Sequence, residues 1–393
     1  MTARSGTQLL YEMIAEAKGY ADIIHMGRGD LDLDTPPHIV EAAKRAMVEH
    51  ATAETPPEGI LPLREAIAAR VKRVNNINVD PATEVVVTNG GQEALFLMVL
   101  AALGPGEELL VPEPNYNTYY DAVRFARGVA AGVPTNVEVD FRVDPARMRQ
   151  ALTERTRAML LASPNNPTAA VISPEDERQL VALAEEHDLL ILADEIYDLF
   201  VYDDVVHLSP ASLPGGRQRT LTLNALSKSF AMTGWRLGWI TGPADWMAQV
   251  KQLKTAVSGA TSIVSQHAAV AALTGPQDVV AEMHQTYIRR RQTIKGALDR
   301  LGVRYGASQG GQFLFADIGF TGMDSISLAQ KILTEQHVLV YPGGAFAPGC
   351  DQYLRITFLR PEEDLRAGME RIGRVLNELR QNSPESIPAT GEA

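Results

Sequence analysis

The sequence predicts an α/β protein, with a large domain whose mostly parallel sheet is covered by helices on both faces and a smaller α+β domain. Between Glu84 and about Pro243, short runs rich in Val, Ile and Leu end in Gly, Pro or Asn and alternate with amphipathic segments. Continuous apolar runs of this kind are typical of parallel strands that are buried on both faces. After about Thr286 the runs become shorter, which indicates a second unit.

The elements follow from these patterns in chain order. Leu9, Leu10, Met13 and Ile14 recur at helical spacing and predict an N-terminal amphipathic helix. The predicted strands of the large sheet are 85–88, 109–112, 157–163, 189–194, 220–225 and 238–242, with helices such as 92–103 and 174–187 between them. Strands near 312–318, 338–341 and 353–358 and a helix over 361–380 follow. Helix 287–301 carries five basic residues, which we interpret as a solvent-exposed face because the chain is acidic.

We divide the chain into four parts on this basis. They are an N-terminal arm with part of the small domain (1–45), a large domain (46–285), a small C-terminal domain (286–380) and a disordered tail (381–393). The tail is polar and contains two prolines, which is typical of disorder.

The composition argues against several classes of function. The chain has 36 Lys and Arg against 48 Asp and Glu, and its net charge of −12 argues against nucleic acid or an anionic membrane as a partner. A single cysteine, Cys350, excludes an internal disulfide framework and a multi-cysteine metal site, and we expect no metal. The most apolar run, 94–103, is shorter than the ~18 to 20 residues of a membrane span. The charged N-terminus also lacks the apolar core of a signal peptide, so we predict a cytoplasmic protein.

Residues 224–239 contain the strongest functional signal. Lys228 follows an apolar strand inside a stretch of small residues, and Arg236 comes eight residues later. An amine that loses its proton can form a Schiff base with a carbonyl, and a nearby guanidinium can bind a phosphate on the same carbonyl compound. A surface Lys and Arg around a turn are the alternative interpretation.

Two further strand ends carry polar side chains. Asp194 ends the run 189–194, Tyr197 follows three residues later, and Asn166 stands between prolines after the run 157–163. Beside a protonated pyridine, the carboxylate would keep the ring nitrogen charged, and Tyr197 and Asn166 could donate to an oxygen on the ring. A helix cap, a core tyrosine and a rigid turn are the respective alternatives.

Two other segments and one arginine complete the candidates. Gly90, Gly91 and Gln92 lead from a strand into a helix whose backbone amides favour a phosphate, although many such turns carry glycines. Tyr116 at a turn could stack on a planar ring. Arg355 lies between apolar strand residues and therefore needs an anion, either a substrate carboxylate or an internal Asp or Glu.

Together these residues resemble those of the class I/II aminotransferases, the aspartate-aminotransferase-like group of fold type I enzymes that use pyridoxal 5'-phosphate (PLP). The most specific part is segment 227–238, Ser-Lys-Ser-Phe-Ala-Met-Thr-Gly-Trp-Arg-Leu-Gly, and the resemblance extends from Gly29 to the Arg355 strand. It implies PLP as cofactor and transfer of an amino group from an L-amino acid to a 2-oxo acid by a ping-pong Schiff-base mechanism. It also implies a homodimer with shared active sites.

The resemblance implies a role for each candidate. Lys228 corresponds to the Schiff-base lysine and general acid/base, and Asp194 to the partner of the pyridine nitrogen. Arg355 corresponds to the residue that binds the substrate α-carboxylate, to which Gly29 offers its backbone. Tyr197 and Asn166 correspond to the partners of the ring oxygen, and Asn166 also counts among the substrate-binding residues. Tyr116 corresponds to the aromatic residue that stacks on the ring. The residues that bind the phosphate correspond to Gly90, Gly91, Gln92, Ser227 and Arg236.

Four positions depart from the family pattern. Ala169 replaces a glycine, Asn117 a proline, and Ala225 a phosphate-binding serine or a glycine. Glu54 occupies the place of a tyrosine that, in the family, reaches the phosphate of the neighbouring subunit. A carboxylate near that dianion is unfavourable unless it turns away or pairs with a base.

The sequence leaves the substrates and the reaction type open. Stretch 258–263 lacks the arginine with which the dicarboxylate-specific branch of the family binds the distal carboxylate, although another mode of recognition stays open. Arg28 either faces an acidic substrate side chain or belongs to a structural ion pair. A PLP-dependent lyase, decarboxylase or oxidase would use the same lysine, aspartate and arginine, and a non-catalytic PLP-binding sensor is a further alternative. The intact segment 227–238 favours transamination.

Overall fold

The computed structural model describes residues 6–49 and 54–381 of the 393-residue chain. The helices are α1 (Gly6–Ala17), α2 (Pro37–Glu49), α3 (Leu61–Asn75), α4 (Gly91–Ala102), α5 (Thr118–Phe125), α6 (Pro145–Gln150), α7 (Pro174–Glu186), α8 (Leu226–Ser229), α9 (Ala244–Val257), α10 (Ile263–Thr274), α11 (Asp278–Arg300), α12 (Ser325–Gln336) and α13 (Glu362–Gln381). The strands are β1 (Ile24–His25), β2 (Val85–Thr88), β3 (Glu108–Glu113), β4 (Val129–Pro134), β5 (Thr156–Ala162), β6 (Leu190–Asp194), β7 (Thr220–Ala225), β8 (Gly238–Thr241), β9 (Phe313–Asp317), β10 (Val338–Leu339), β11 (Tyr341–Pro342) and β12 (Tyr353–Thr357). The predicted tail lies outside the described residues, except for its first residue, Gln381, which ends α13.

The central sheet has seven strands in the order β2-β8-β7-β6-β5-β3-β4. β8 runs antiparallel to both of its neighbours, whereas all the other neighbouring strands are parallel. The prediction of a mostly parallel sheet is therefore confirmed. Because β2, β3, β5, β6 and β7 point the same way, their carboxyl ends meet at one edge of the sheet, where ligands of such sheets bind.

Helices cover both faces of this sheet, as β3 illustrates. Leu109 and Val111 pack against residues of α4, whereas Leu110 between them packs against residues of α7 on the opposite face. Successive side chains of a strand point to opposite faces, so a strand covered on both sides must be apolar at every position. This burial explains why the strands appear in the sequence as continuous apolar runs.

The C-terminal part builds its own apolar cluster and includes the N-terminal segment. β11, β12 and β9 form an antiparallel sheet, and β1 pairs with β10 in parallel. Met13 of α1 lies in the same cluster as Ile294 of α11 and Met369 of α13. α11 runs without interruption through the predicted domain boundary between residues 285 and 286.

The interpretation of the basic run in α11 as a solvent-exposed face is wrong for two of its arginines. Arg290 is buried and binds Asp32 through two hydrogen bonds of 2.8 and 2.7 Å. Arg291 is fully buried, binds Asp203 at 3.0 and 2.5 Å, and stacks over Tyr202. A buried guanidinium is tolerated because a carboxylate compensates its charge.

Residues 6–49 and 54–381 contain neither a membrane-spanning helix nor a cluster of metal-ligating side chains. No helix in these ranges is long and apolar enough to cross a membrane. No group of three or more His, Cys, Asp or Glu side chains there is arranged to hold a metal ion.

Candidate active site

A cavity of about 410 Å³ lies at the carboxyl edge of the central sheet. Residues that follow β3, β5, β6 and β7, the start of α4, and parts of β11 and β12 line it. Every residue that the sequence predicts for the site lines this cavity except Gly90, which lies against the guanidinium of Arg236. The fold thus brings together residues from Gly29 to Arg355 at the predicted edge.

Lys228 lies on α8, the single helical turn that follows β7. Its Nζ donates a hydrogen bond of 2.5 Å to the carbonyl oxygen of Gly29. Burial, with help from the positive charge of Arg355, lowers the pKa of Lys228 to about 8. At pH 7, about a tenth of this amine is therefore neutral and nucleophilic, far more than for a lysine of ordinary pKa.

Asp194 ends β6 with its carboxylate facing the cavity. Oδ2 accepts a hydrogen bond of 3.1 Å from the hydroxyl of Tyr119, and Oδ1 accepts one of 3.2 Å from the backbone of Ile196. Burial raises the pKa of Asp194 to about 6, although both hydrogen bonds act in the opposite direction. Sequence reasoning missed Tyr119, which is fully buried on α5. Its position three residues after Tyr116 was the only signal for it.

Arg355 lies in the middle of β12 and is almost completely buried. Its Nη1 donates to Asn166 Oδ1 at 2.7 Å and its Nη2 to the carbonyl oxygen of Gly27 at 2.6 Å, while its buried Nε has no hydrogen-bond partner. Across residues 6–49 and 54–381, no carboxylate pairs with this guanidinium, so the internal acid that we considered is not found there. The rings of Phe313, Tyr341 and Phe346 lie 5.0 to 5.4 Å from its central carbon. A desolvated cation of this kind strongly favours an incoming anion.

Tyr197 follows β6 and is buried beside this group. Its ring packs edge-to-face on Phe313, with the ring centroids 5.4 Å apart. Burial raises the pKa of Tyr197, so its hydroxyl stays protonated and can act as a hydrogen-bond donor.

The turn into α4 faces the guanidinium of Arg236. Gly90 has a φ of +88°, a backbone angle that favours glycine, and a Cβ built on it would lie 2.6 Å from Arg236 Nη2 and displace the guanidinium. Arg236 donates to the carbonyl oxygen of Thr233 at 3.0 Å. Together with the free amides of the first turn of α4 and the hydroxyl of Ser227, it surrounds a volume suited to an anion.

The N-terminal helix supplies a wall of the cavity that the sequence did not predict. Thr7, Leu10, Tyr11 and Ile14 of α1 line it. Asn117, where the family has a proline, donates to Thr7 Oγ1 at 3.1 Å and thereby fixes α1 over the cavity.

The other three departures have different structural settings. Ala169 has a φ of +62°, a left-handed conformation that explains why glycine is usual there. Ala225 is fully buried, and its methyl group packs close to Gly91, where an added Cβ would lie 3.6 Å from it. Unlike a serine, Ala225 offers no hydroxyl to donate to a phosphate. Glu54 is exposed and does not line the cavity.

Comparison with known proteins agrees with this arrangement. Residues 21–372 match the family model described as aminotransferase class I and II. The chain is 39% identical to an aspartate aminotransferase of Pyrococcus abyssi over 92% of this chain and 94% of that protein. It is 37% identical to an aspartate/prephenate aminotransferase of Thermus thermophilus over 90% and 91%, respectively.

A solved structure leads to the same conclusion. The crystal structure of an aromatic aminotransferase from Pyrococcus horikoshii has a TM-score of 0.89 with this chain at 38% identity, covering 93% of this chain and 99% of that one. The predicted family and its fold type are thereby confirmed. The chain belongs to the class I and II aminotransferase family and is an enzyme that transfers amino groups.

Proposed function

We propose that this enzyme moves the amino group of an L-amino acid to a 2-oxo acid, with PLP bound in the cavity that Lys228 and Arg355 share. One observation carries the proposal: a buried amine of lowered pKa lines the same cavity as a buried guanidinium that has no carboxylate partner among residues 6–49 and 54–381. Amino acids and 2-oxo acids both present an α-carboxylate for such a guanidinium, next to the carbon at which an amine reacts.

The residues around Gly90 fit the phosphate of PLP. The guanidinium of Arg236, the hydroxyl of Ser227 and the amides of Gly91 and Gln92 at the start of α4 are donors without a competing carboxylate in their described contacts. Because Gly90 has no side chain, the guanidinium of Arg236 can lie next to the amides at the start of α4. Donors of this kind at a helix start favour a dianion.

The deeper part of the cavity fits the ring of PLP. Asp194 would hold the protonated ring nitrogen, and a cation there would lower the pKa of this carboxyl and keep it ionised. The hydroxyl of Tyr197 and the amide of Asn166 would donate to the ring oxygen. The ring of Tyr116 would cover one face of the cofactor.

Bound PLP supplies an aldehyde that condenses with amines and a pyridine ring that withdraws electrons from the bonds at the α-carbon. Lys228 would hold the cofactor at rest and, as a free amine, take up the proton of the substrate α-carbon. An amine whose pKa is about 8 is suited to accept and return a proton near neutral pH.

Arg355 would orient both substrates. Its unpaired Nε and its fixed neighbours, Asn166 and the Gly27 carbonyl, leave one side of the guanidinium open to a carboxylate. Anchoring the carboxylate beside Lys228 aims the α-hydrogen at the amine, and positioning of this kind contributes a large part of such rate enhancements. Because donor and acceptor would occupy the same place in turn, the kinetics should be ping-pong.

We extend the proposal to substrates, assembly and location. The relatives named above act, by their names, on aspartate, prephenate and aromatic compounds, so we propose acidic and aromatic amino acids as the donors to test first. We also propose a cytoplasmic homodimer in which each site uses both subunits, with no nucleic-acid partner. Light scattering tests the dimer, which should have twice the 42.7 kDa mass of the chain.

The test is a spectrum of the purified protein with PLP, before and after addition of single amino acids, with Lys228→Ala in parallel. We expect a visible band of the bound cofactor that is bleached by particular donors and restored by a 2-oxo acid, and no such cycle in Lys228→Ala. Release of ammonia without restoration by a 2-oxo acid would favour a lyase or an oxidase. Failure to bind PLP at all would contradict the proposal.

A further inference from the structure

A second arginine besides Arg355 lines the substrate side of the cavity. Arg28 follows β1, and 37% of its side chain is exposed. Tyr341 lines the same cavity, and its ring lies 5.0 Å from the central carbon of Arg355. The cavity therefore presents two cations to a substrate, one buried and one near the opening.

The backbone around Arg28 is fixed by the two anchors of the site. The carbonyl of Gly27 accepts from Arg355 Nη2 at 2.6 Å, and the carbonyl of Gly29 accepts from Lys228 Nζ at 2.5 Å. A Cβ on Gly27 would lie 2.6 Å from the ring of Tyr341, and one on Gly29 would lie 3.2 Å from Lys228 Nζ. A side chain at Gly27 would therefore clash with the ring of Tyr341, and one at Gly29 would press on the amine of Lys228, so glycine suits both positions that flank Arg28.

The ionic contacts of Arg28 leave part of its guanidinium available. Its Nε lies 2.9 Å from Asp30 Oδ1 without forming a hydrogen bond, and its terminal nitrogens donate no hydrogen bond within residues 6–49 and 54–381. The same Asp30 carboxylate also pairs with Arg360 at 3.2 Å. One carboxylate between two guanidinium groups leaves these three residues with a net charge of +1. A structural ion pair, which is the alternative role for Arg28, therefore neutralises only one of the two guanidinium charges.

We propose that Arg28 determines substrate specificity by binding the distal carboxylate of a dicarboxylic amino acid or 2-oxo acid whose α-carboxylate is held by Arg355. The inference rests on the proposed function and names its substrate class, that of aspartate, glutamate and their 2-oxo acids. Stretch 258–263 supplies no arginine for this purpose, whereas Arg28 is already at the cavity. A monocarboxylic donor would instead contact the apolar side chains of α1, and Arg28 would stay on Asp30.

The test compares donors in Arg28→Gln and the wild type. A hydrogen-bonded ion pair lost in this way should lower the ratio of kcat/KM for glutamate to kcat/KM for phenylalanine by about 10- to 100-fold. The loss should lie mainly in KM, because the distal carboxylate is held equally in the ground state and the transition state. Arg28→Lys, which keeps the charge but not the planar fork, should lie between the two. Calorimetry with succinate, which cannot react, should show affinity weakened by the same factor.

The matched control is Arg289→Gln, which removes an exposed arginine of α11 that pairs with Glu362 outside the cavity. It should leave the ratio unchanged. An equal fall for glutamate and phenylalanine in Arg28→Gln, or an unchanged ratio with unchanged succinate affinity, would overturn the assignment while transamination itself stands. Absence of turnover with every amino acid in the wild type would overturn the proposed function and this inference together.

Discussion

At the scale of single residues, the charge of Asp194 depends on the hydroxyl of Tyr119. Burial favours the neutral acid, and the 3.1 Å hydrogen bond from Tyr119 favours the carboxylate, with a balance at a pKa of about 6. Without cofactor, Asp194 therefore loses its charge when the pH falls through about 6. Because a neutral acid cannot pair with a protonated ring nitrogen, PLP affinity should fall in the same range.

We therefore predict that Tyr119→Phe raises the pKa of Asp194, since it removes a donor that stabilises the charged form. At a pH of about 6, we expect PLP to bind cofactor-free Tyr119→Phe about tenfold more weakly than the wild type, and the difference to vanish at higher pH. Fluorescence quenching by PLP across a pH series measures it. Tyr120→Phe is the control, because this neighbouring hydroxyl donates to Glu113 at 3.1 Å instead. Superimposable profiles of the wild type and Tyr119→Phe would contradict the prediction.

Several site residues that the sequence predicted lie at or just after the end of an apolar strand, whereas Tyr119 and Arg28 do not. Lys228, Asp194 and Asn166 each follow directly on an apolar run, so strand periodicity alone places them at one edge of the sheet. Tyr119 and Arg28 belong to a short helix and a loop, and reach the cavity through contacts with residues far away in the chain. No local pattern specifies such contacts, so sequence reasoning missed Tyr119 and left the role of Arg28 open between two alternatives.

At the scale of elements, predicted and observed strands agree best where the strand is buried on both faces. β2 and β7 have the predicted bounds, β6 and β8 differ by one residue at one end, and β3 and β5 differ by one residue at each end. β4 was not predicted, because this edge strand consists of small residues and is largely accessible to solvent. Exposure removes the need for a continuous apolar run, and with it the signal.

The contact between α3 and the turn after β6 yields the next prediction. Arg70 and Asp198 are both buried and joined by two contacts of 2.8 Å, and Asn224 donates to the same carboxylate at 2.9 Å. Asp198→Asn would leave the Arg70 charge buried without a counter-charge, which should lower the free energy of unfolding by about 3–5 kcal/mol.

Urea unfolding, followed by circular dichroism, measures this loss. The control is Asp188→Asn, which makes the same chemical change at a carboxylate that is fully exposed, although its partner Arg219 is largely buried. It should move the unfolding midpoint little, because solvent screens the charge of Asp188. Equal effects of the two substitutions would show that burial does not decide the value of the Arg70 contact.

At the scale of the whole molecule, the N-terminal segment and the C-terminal elements meet at the site. β1 pairs with β10, and Asp32 pairs with Arg290, so the N-terminal segment that carries Gly27 to Asp30 is held by C-terminal elements. The sequence analysis assigned residues 1–45 in part to the small domain, but no pattern in the chain specified these contacts. Pairing of two-residue strands more than 300 positions apart leaves no periodic signal in the chain.

The stability of the whole fold should also depend on pH through Glu177. This side chain is buried, its Oε1 has no hydrogen-bond partner within the described part of the chain, and burial, together with the charge of Glu195, raises its pKa well above the ordinary value. A carboxyl that is harder to ionise in the folded than in the unfolded state stabilises the fold at low pH. That stabilisation is lost as the pH rises from about 4.5 towards the folded pKa, by up to about 1.4 kcal/mol for each pH unit.

Glu177→Gln removes this titration while keeping the shape of the side chain. We predict that its thermal midpoint matches that of the wild type near pH 4 and exceeds it increasingly towards pH 8. The reason is that glutamine does not ionise, whereas Glu177 must be kept protonated or carry a buried charge. Glu175→Gln on the same helix is the control, because 71% of the Glu175 side chain is exposed to solvent. A constant difference between Glu177→Gln and the wild type across the pH range would mean that packing, and not ionisation, distinguishes them. A difference that grows with pH, and is absent for Glu175→Gln, would identify Glu177 as a buried acid that the folded chain keeps protonated.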